Sequence, residues 1–286
     1  MGIRQVASIR AGAVADLMRD WSLEAAGEPF SRTGAGLVAP VRARDGGELV
    51  LRIFPVAEWA SHAADALAYW SGCGAVRLVA VERELGALLM ERVIPGTSLV
   101  SLCASDDHAA TAAAASVIAE LRAAPGTATV SLPDVTSWTG ALQPAGAGAM
   151  PSELRTASSR AAALSVDLLA DAPRSVLHGD LQHYNVLAAG RGSWLAIDPK
   201  GLLGPREAES AALLRNPRGF VLSHARPRQL LADRVAVLEE RLGDDRRLLM
   251  AWGYVLAVVA AAWAFEDHER DSDVRRWLAC ADLLRP

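Results

Sequence analysis

Two apolar runs of strand length, Leu37–Arg44 and Leu49–Phe54, flank Asp45-Gly46-Gly47. Asp and Gly tolerate positive φ, so the pattern predicts a β-hairpin. From Glu58 to Trp70 the period changes: Trp59, Ala63, Ala66, Leu67 and Trp70 recur at three- and four-residue steps, the spacing of a helix face. Val76–Val81 and Ala87–Val93 read as two further strands, so the first third is a sheet with one helix. After Pro95-Gly96 the strand signal largely disappears. Ser105-Asp106-Asp107 caps a helix that ends near Ala124, and the Gly/Pro-rich stretch Pro125–Gly148 reads as loop. Helices are predicted at about Ser152–Ala170, Pro227–Arg241, Arg246–His268 and Asp271–Leu284, interrupted by an island of strand and turn, Ser175–Gly204. The layout is α+β in two lobes. Residues 1–93 form a small sheet-rich lobe with a hinge at about 91–96, and residues 97–286 form a larger, mainly helical one.

Composition narrows the class. The 286 residues are 51% hydrophobic and 22% charged, enough for a substantial core, and the net charge of −4 gives no sign of a nucleic-acid-binding surface. Lys200 is the single lysine among 29 basic residues. Cys73, Cys103 and Cys280 are too few and too scattered for a disulfide framework or a zinc site, which favours a reducing cytoplasm. The amino terminus lacks the apolar centre of a signal peptide. The longest uncharged stretch, Leu248–Phe265, reads as a buried helix rather than a membrane span, with Trp252, Trp263 and Trp277 as core. No obligate protein partner is implied. His62, His108 and His224 stand alone, with no nucleophile nearby in sequence.

The island carries the candidate chemistry. Val186–Ala189 and Trp194–Ile197 predict a short hairpin, with Asn185 before its first strand and Asp198 after its second. Pairing the strands brings an amide oxygen and a carboxylate to one point, and hard oxygen ligands suit Mg²⁺. Asp180 lies five residues before Asn185, in the order His178-x-Asp-x-x-x-x-Asn followed by Asp198. That is the spacing of a kinase catalytic loop and its metal-binding Asp. In such an arrangement Asp180 accepts the proton of an attacking hydroxyl, Asn185 and Asp198 hold metal against nucleotide phosphates, and His178 braces the loop.

The segments His178-Gly-Asp-Leu-Gln-His-Tyr-Asn185-Val-Leu and Trp194-Leu-Ala-Ile-Asp-Pro-Lys-Gly201 resemble the aminoglycoside phosphotransferases, in particular their streptomycin 6-kinase and hydroxyurea phosphotransferase branch. Trp70–Leu78, Leu88–Val93, Leu213–Pro217 and Ala261–Trp263 match in the same order. The resemblance implies a protein-kinase-like two-lobe fold, with ATP (GTP being possible) and Mg²⁺ as cofactors. It further implies transfer of phosphate to a hydroxyl of a small, cationic, antibiotic-like acceptor, streptomycin-type first. By the same resemblance Met90, Glu91 and Val93 adjoin the adenine, with backbone groups of Glu91–Val93 contacting the base. Gly34 and Gly36 form part of a phosphate-covering loop.

Several positions depart from the family pattern. Arg52 stands where a strand lysine is expected to contact phosphate, and the position of its helix glutamate falls near His62 or Ala63, with Asp65 or Glu58 as possible substitutes. Arginine keeps the charge but not the point geometry of lysine. Tyr184 replaces an acidic residue, and Gly204-Pro-Arg-Glu-Ala-Glu209 retains only the last acid of its motif, which assigns Glu209 to the acceptor side. Lys200 is placed to reach a phosphate or simply to face solvent. Glu266 and Asp267, at a helix end, are candidates to receive substrate ammonium groups. Two alternatives stay open beside an antibiotic kinase: a kinase of another secondary metabolite or biosynthetic intermediate, and a nucleotide-binding pseudokinase.

Overall fold

The computed structural model describes residues 3–33, 36–126, 128–143, 150–190 and 194–286, with side chains described for all of these except 3–11, 32 and 33. The N-terminal sheet contains β1 (Leu23–Ala25), β2 (Ser31–Thr33), β3 (Gly36–Ala43), β4 (Glu48–Ile53), β5 (Leu78–Glu82) and β6 (Ala87–Glu91). Its order is β1-β3-β4-β6-β5, with β2 also on β3. Among the described residues the lobe has two helices, not the single one expected. Helix α2 (Ala57–Trp70) follows the periodicity, whereas α1 (Ile3–Asp20) arises from a stretch with little apolar bias and covers the opposite face of the sheet.

Strand alternation sorts the sheet's two faces. Leu51 and Ile53 of β4, with Ala87 and Leu89 of β6, join Leu17 and Val41 in a small core under α1. Their neighbours Val50 and Arg52 point the other way, toward the cleft between the lobes. Arg52 is paired in register with Val38 on one side and Leu88 on the other, so it sits on a central strand. It is only 7% exposed, so it is neither an edge residue nor a solvent-facing one.

The chain leaves the first sheet after Glu91 and enters a second, β10-β9-β7, through β7 (Pro95–Ser98). Helices α3 (Val100–Ser105) and α4 (Asp107–Arg122) follow, α4 capped by the Asp106 carboxylate accepting from Ala109 N at 2.9 Å. The segment read as loop contains α5 (Thr136–Thr139) and a 3-10 turn, Gly140–Leu142, and α6 (Ser152–Leu169) comes next. The island supplies β8 (Ser175–Leu177), β9 (Val186–Ala189), β10 (Trp194–Ala196) and β11 (Leu202–Gly204). The remainder is helical: α7 (Ala211–Arg215), α8 (Phe220–Ser223), α9 (Pro227–Leu242), α10 (Arg246–Glu266) and α11 (Asp271–Leu284).

By length and composition α10 could cross a membrane. Here it is the core of the C-terminal lobe, with Trp252, Val255, Val258 and Val259 each 1% exposed or less. Burying each such side chain contributes roughly 1.5–3 kcal/mol, enough to fix α10 as the centre against which α6, α7 and α11 pack. The lobes are stitched behind the cleft, where Val76 N donates to Ala196 O at 3.0 Å and Ala196 N to Gly74 O at 2.8 Å.

Candidate active site

The expected β9–β10 hairpin forms, with Val186 opposite Ala196. Ile197 N donates to Asn185 O at 2.9 Å, so Asn185 and the start of the Asp198 turn are held together. The Asn185 amide nitrogen donates to the Asp180 carbonyl at 2.9 Å, which leaves its Oδ1 as the atom to offer a cation. Gln182, which the motif reading passed over, donates from Nε2 to both Asp180 oxygens at 3.2 and 3.3 Å and fixes the carboxylate's orientation. Burial raises the Asp180 carboxyl above its usual range, with Lys200 and Arg215 pulling against it.

His178 is fully buried, stacked on Trp70 at 6.2 Å between ring centroids. Its Nε2 lies 2.8 Å from Ile197 O and its Nδ1 accepts from Asp180 N at 3.3 Å, the pattern of one neutral tautomer. Burial pushes its pKa down to about 4, in keeping with a brace rather than a proton carrier. Glu209 departs from the expectation that it meets the acceptor. It is 5% exposed beneath the loop, and its two oxygens accept from His178 N at 2.6 Å and Gly179 N at 3.1 Å. Each carboxylate oxygen accepts a backbone N–H, and Glu209 is not among the residues lining the two cavities of the cleft, so it shapes the loop and does not face the acceptor.

Arg52 Nε lies 3.2 Å from Asp198 Oδ1, and its guanidinium sits 4.4 Å above the Phe54 ring. Neither proposed helix acid serves it. Asp65 pairs with Arg83 at 2.7 Å, and Glu58 lies 3.8 Å from His62. Lys200 Nζ is 3.5 Å from Asp198 Oδ2 and 3.9 Å from Asp180 Oδ2, so it faces the site although it is exposed. Burial alone would raise the Asp198 carboxyl, but Lys200 and Arg52 outweigh it and hold the group below the usual carboxylate range.

Two cavities open from this cluster and share Arg52. One, about 520 Å³, is lined by Val38, Val50, Val76, Met90, Glu91 and Val93 on the sheet and hinge, and by Asn185 and Asp198 below. Two hinge amides expected to face a base are engaged elsewhere: Glu91 N donates to Arg77 O and Arg92 N to Glu48 O. Gly36 lies at a backbone φ of +109, where a Cβ would come within 2.0 Å of Ile53 O, so only glycine permits this approach above Arg52. Gly34 lies outside the described residues. The other cavity, about 680 Å³, holds Asp180, Lys200 and Arg215 with Glu58, Trp59, Trp138, Trp263 and Asp267. Asp267 therefore lies where expected, while Glu266 is exposed and not among the lining residues. Trp252 is core as read, but Trp263 lines the cavity, edge-to-face with Trp138 at 5.2 Å.

The donor set of the first cavity fits a divalent cation with a nucleotide. It combines an amide oxygen, a carboxylate held ionised, and a cation beside a glycine-bounded strand.

The profile of the aminoglycoside/hydroxyurea antibiotic resistance kinases matches residues 20–268. The chain belongs to this family. A hydroxyurea phosphotransferase from Kitasatospora aureofaciens is 34% identical over 90% of the chain and 74% of its own length. A streptomycin 6-kinase from Streptomyces glaucescens is 32% identical over 89% of the chain and 82% of its own. Among solved structures, an amicoumacin kinase in complex with AMP-PNP and Ca²⁺ superposes with a TM-score of 0.69 at 12% identity, covering 99% of this chain and 96% of that one. An aminoglycoside phosphotransferase bound to AMP-PNP and hygromycin B gives 0.66 at 15% identity, over 95% and 97%. The fold is thus protein-kinase-like, and the antibiotic resistance kinase family makes the protein an antibiotic-modifying O-phosphotransferase with a small-molecule acceptor.

Proposed function

We propose that the protein transfers the γ-phosphoryl group of ATP, with Mg²⁺, to a hydroxyl of a streptomycin-type aminoglycoside in the cytoplasm. The observation that carries this reading is the pair of cavities meeting at Arg52, with Asn185 and Asp198 lining one and Asp180 the other. The apolar slot between Val38, Val50, Val76 and Met90 takes the adenine, and Arg52 faces the phosphates. Asn185 Oδ1 and the Asp198 carboxylate hold Mg²⁺. When bound, the ion neutralises charge on the phosphates and favours departure of ADP. Asp180, oriented by Gln182, accepts the acceptor's hydroxyl proton as that oxygen attacks phosphorus. Asp267 and Glu58, beside the indoles of Trp59, Trp138 and Trp263, give the acceptor cavity its affinity for a cationic sugar. The retained trio of Asp180, Asn185 and Asp198 favours an enzyme over a pseudokinase.

Incubation with MgATP and streptomycin should yield a product heavier by one phosphoryl group in the mass spectrum. Hydroxyurea, favoured as a second acceptor by the 34% identical relative, belongs in the same panel. Asp180→Ala should lower turnover by roughly 10²–10⁴-fold while MgATP still raises its melting temperature. Turnover unaffected by Asp180→Ala would remove Asp180 as the base, and no phosphorylated product with either compound would remove this acceptor assignment.

A further inference from the structure

The acceptor cavity contains a cation that the reading above does not use. Arg215 closes α7 at the end of the buried run Ala211-Ala-Leu-Leu and is 8% exposed. Buried arginines are ordinarily matched by carboxylates or carbonyls, because a guanidinium without partners in a low-dielectric site is strongly destabilising. The comparison within this molecule is Arg234, 1% exposed, which binds Asp107 and the carbonyls of Leu213 and Asn216 at 2.6 Å each. Arg215 has no such set. Among the described residues its guanidinium makes no hydrogen bond or ion pair, and its Nη1 is buried without a partner. Yet the side chain lines the same cavity as Asp180 and Lys200.

We infer that Arg215 is a catalytic residue that receives the transferred phosphoryl group on the acceptor side. The inference rests on the kinase reading above. In the reaction the bond between phosphorus and the ADP oxygen breaks, with its electron pair going to ADP. A bond from the acceptor oxygen to phosphorus forms, and the hydroxyl proton passes to the Asp180 carboxylate. Phosphorus thereby moves from the cavity lined by Asn185 and Asp198 toward the one lined by Asp180. Negative charge arrives where it was absent before, next to Asp180, whose carboxylate repels it until the hydroxyl proton has been taken up. Lys200 is exposed and lies within 4 Å of both Asp180 and Asp198, so it already answers two carboxylates. Arg215 faces the destination from the protein side with donors not yet engaged. Because it forms no ion pair with Asp180, it stabilises the incoming charge without occupying the base. A fixed, preorganised donor aimed at developing charge is the arrangement that accelerates a charge-transfer step most.

The test uses Arg215→Met and Arg215→Lys in the full chain, with three readouts. MgADP-induced rise in melting temperature reports the nucleotide cavity, inorganic phosphate titrated in the presence of MgADP reports the anion position through tryptophan fluorescence, and kcat and KM are measured with MgATP and streptomycin. The expected result is a MgADP response like that of the unaltered protein in both variants and at least tenfold weaker phosphate binding in Arg215→Met. Turnover should fall about 100-fold in that variant with nucleotide KM unchanged, and Arg215→Lys should recover part of both losses. Phosphate affinity and kcat unchanged in Arg215→Met would overturn the inference. So would a parallel loss of MgADP binding, or failure of both variants to fold, since either makes Arg215 a packing residue. If the unaltered protein does not phosphorylate streptomycin, the acceptor assignment fails, and the phosphate titration alone decides the role of Arg215.

Discussion

Glu209 holds the loop that bears Asp180 through two backbone N–H groups, and burial pushes its carboxyl up to about 7. A carboxyl raised in the folded state binds its proton more tightly there than in the unfolded chain. Its contribution to stability is therefore complete below the unfolded value of 4.5 and is lost as pH rises to about 7. A shift of this size corresponds to about 3 kcal/mol. His178, held neutral down to about 4, contributes with the opposite sign, gaining as pH rises toward 6.5. Glu209→Gln removes the first effect and leaves the second. Melting temperatures of the two proteins between pH 4.5 and 8 should then diverge in slope, the unaltered chain losing more than the variant as pH rises. Parallel curves would mean that the carboxylate remains ionised under the loop throughout.

At the scale of elements, what local pattern controls was legible in the chain. The β9–β10 hairpin joins neighbours in sequence, and α2, α4, α9 and α10 carry periodic apolar faces or capping residues such as Asp106 and Pro227. What long-range contact controls was not legible. The β8–β11 pairing sets Leu177 opposite Leu202, and α1 gains its place only by lying on the sheet. The same limit hid the roles of Glu209 and Arg215, since a motif shows that a charged residue is present but not which cavity or loop it meets. One such contact is testable. Gly201, at φ +69, ends the turn after Asp198, and a Cβ there would lie 2.4 Å from the His62 carbonyl of α2. Gly243 closes α9 at φ +66 with nothing within 4 Å. Gly243→Ala should cost about 1–2 kcal/mol, the penalty of left-handed backbone alone. Gly201→Ala adds a backbone clash and should cost about 3 kcal/mol or more, with a loss of turnover as the Asp198 turn shifts. Equal losses by denaturant unfolding would show that α2 does not bear on the turn.

Across the whole molecule, one side chain lines both cavities of the cleft. Arg52 is fixed by a central strand of the N-terminal sheet, yet it pairs with Asp198 of the other lobe and lines both cavities. The hydrogen bonds between Val76, Ala196 and Gly74 hold that strand's lobe in place over the hairpin. A residue that serves only the acceptor side, as Arg215 does, should leave nucleotide KM alone. Arg52 should not. Arg52→Met removes the charge facing the phosphates and leaves Asp198 with Lys200 as its nearby cation, so nucleotide KM should rise at least tenfold. Turnover should fall by roughly 10²–10³-fold, the usual loss when one preorganised donor is removed. Arg52→Lys keeps the charge but gives up the planar contact with Phe54, and it should fall between the two in both constants. Steady-state kinetics with MgATP varied at saturating acceptor separates the cases. An unchanged nucleotide KM in Arg52→Met would confine Arg52 to the acceptor cavity and leave β4 without a part in nucleotide binding.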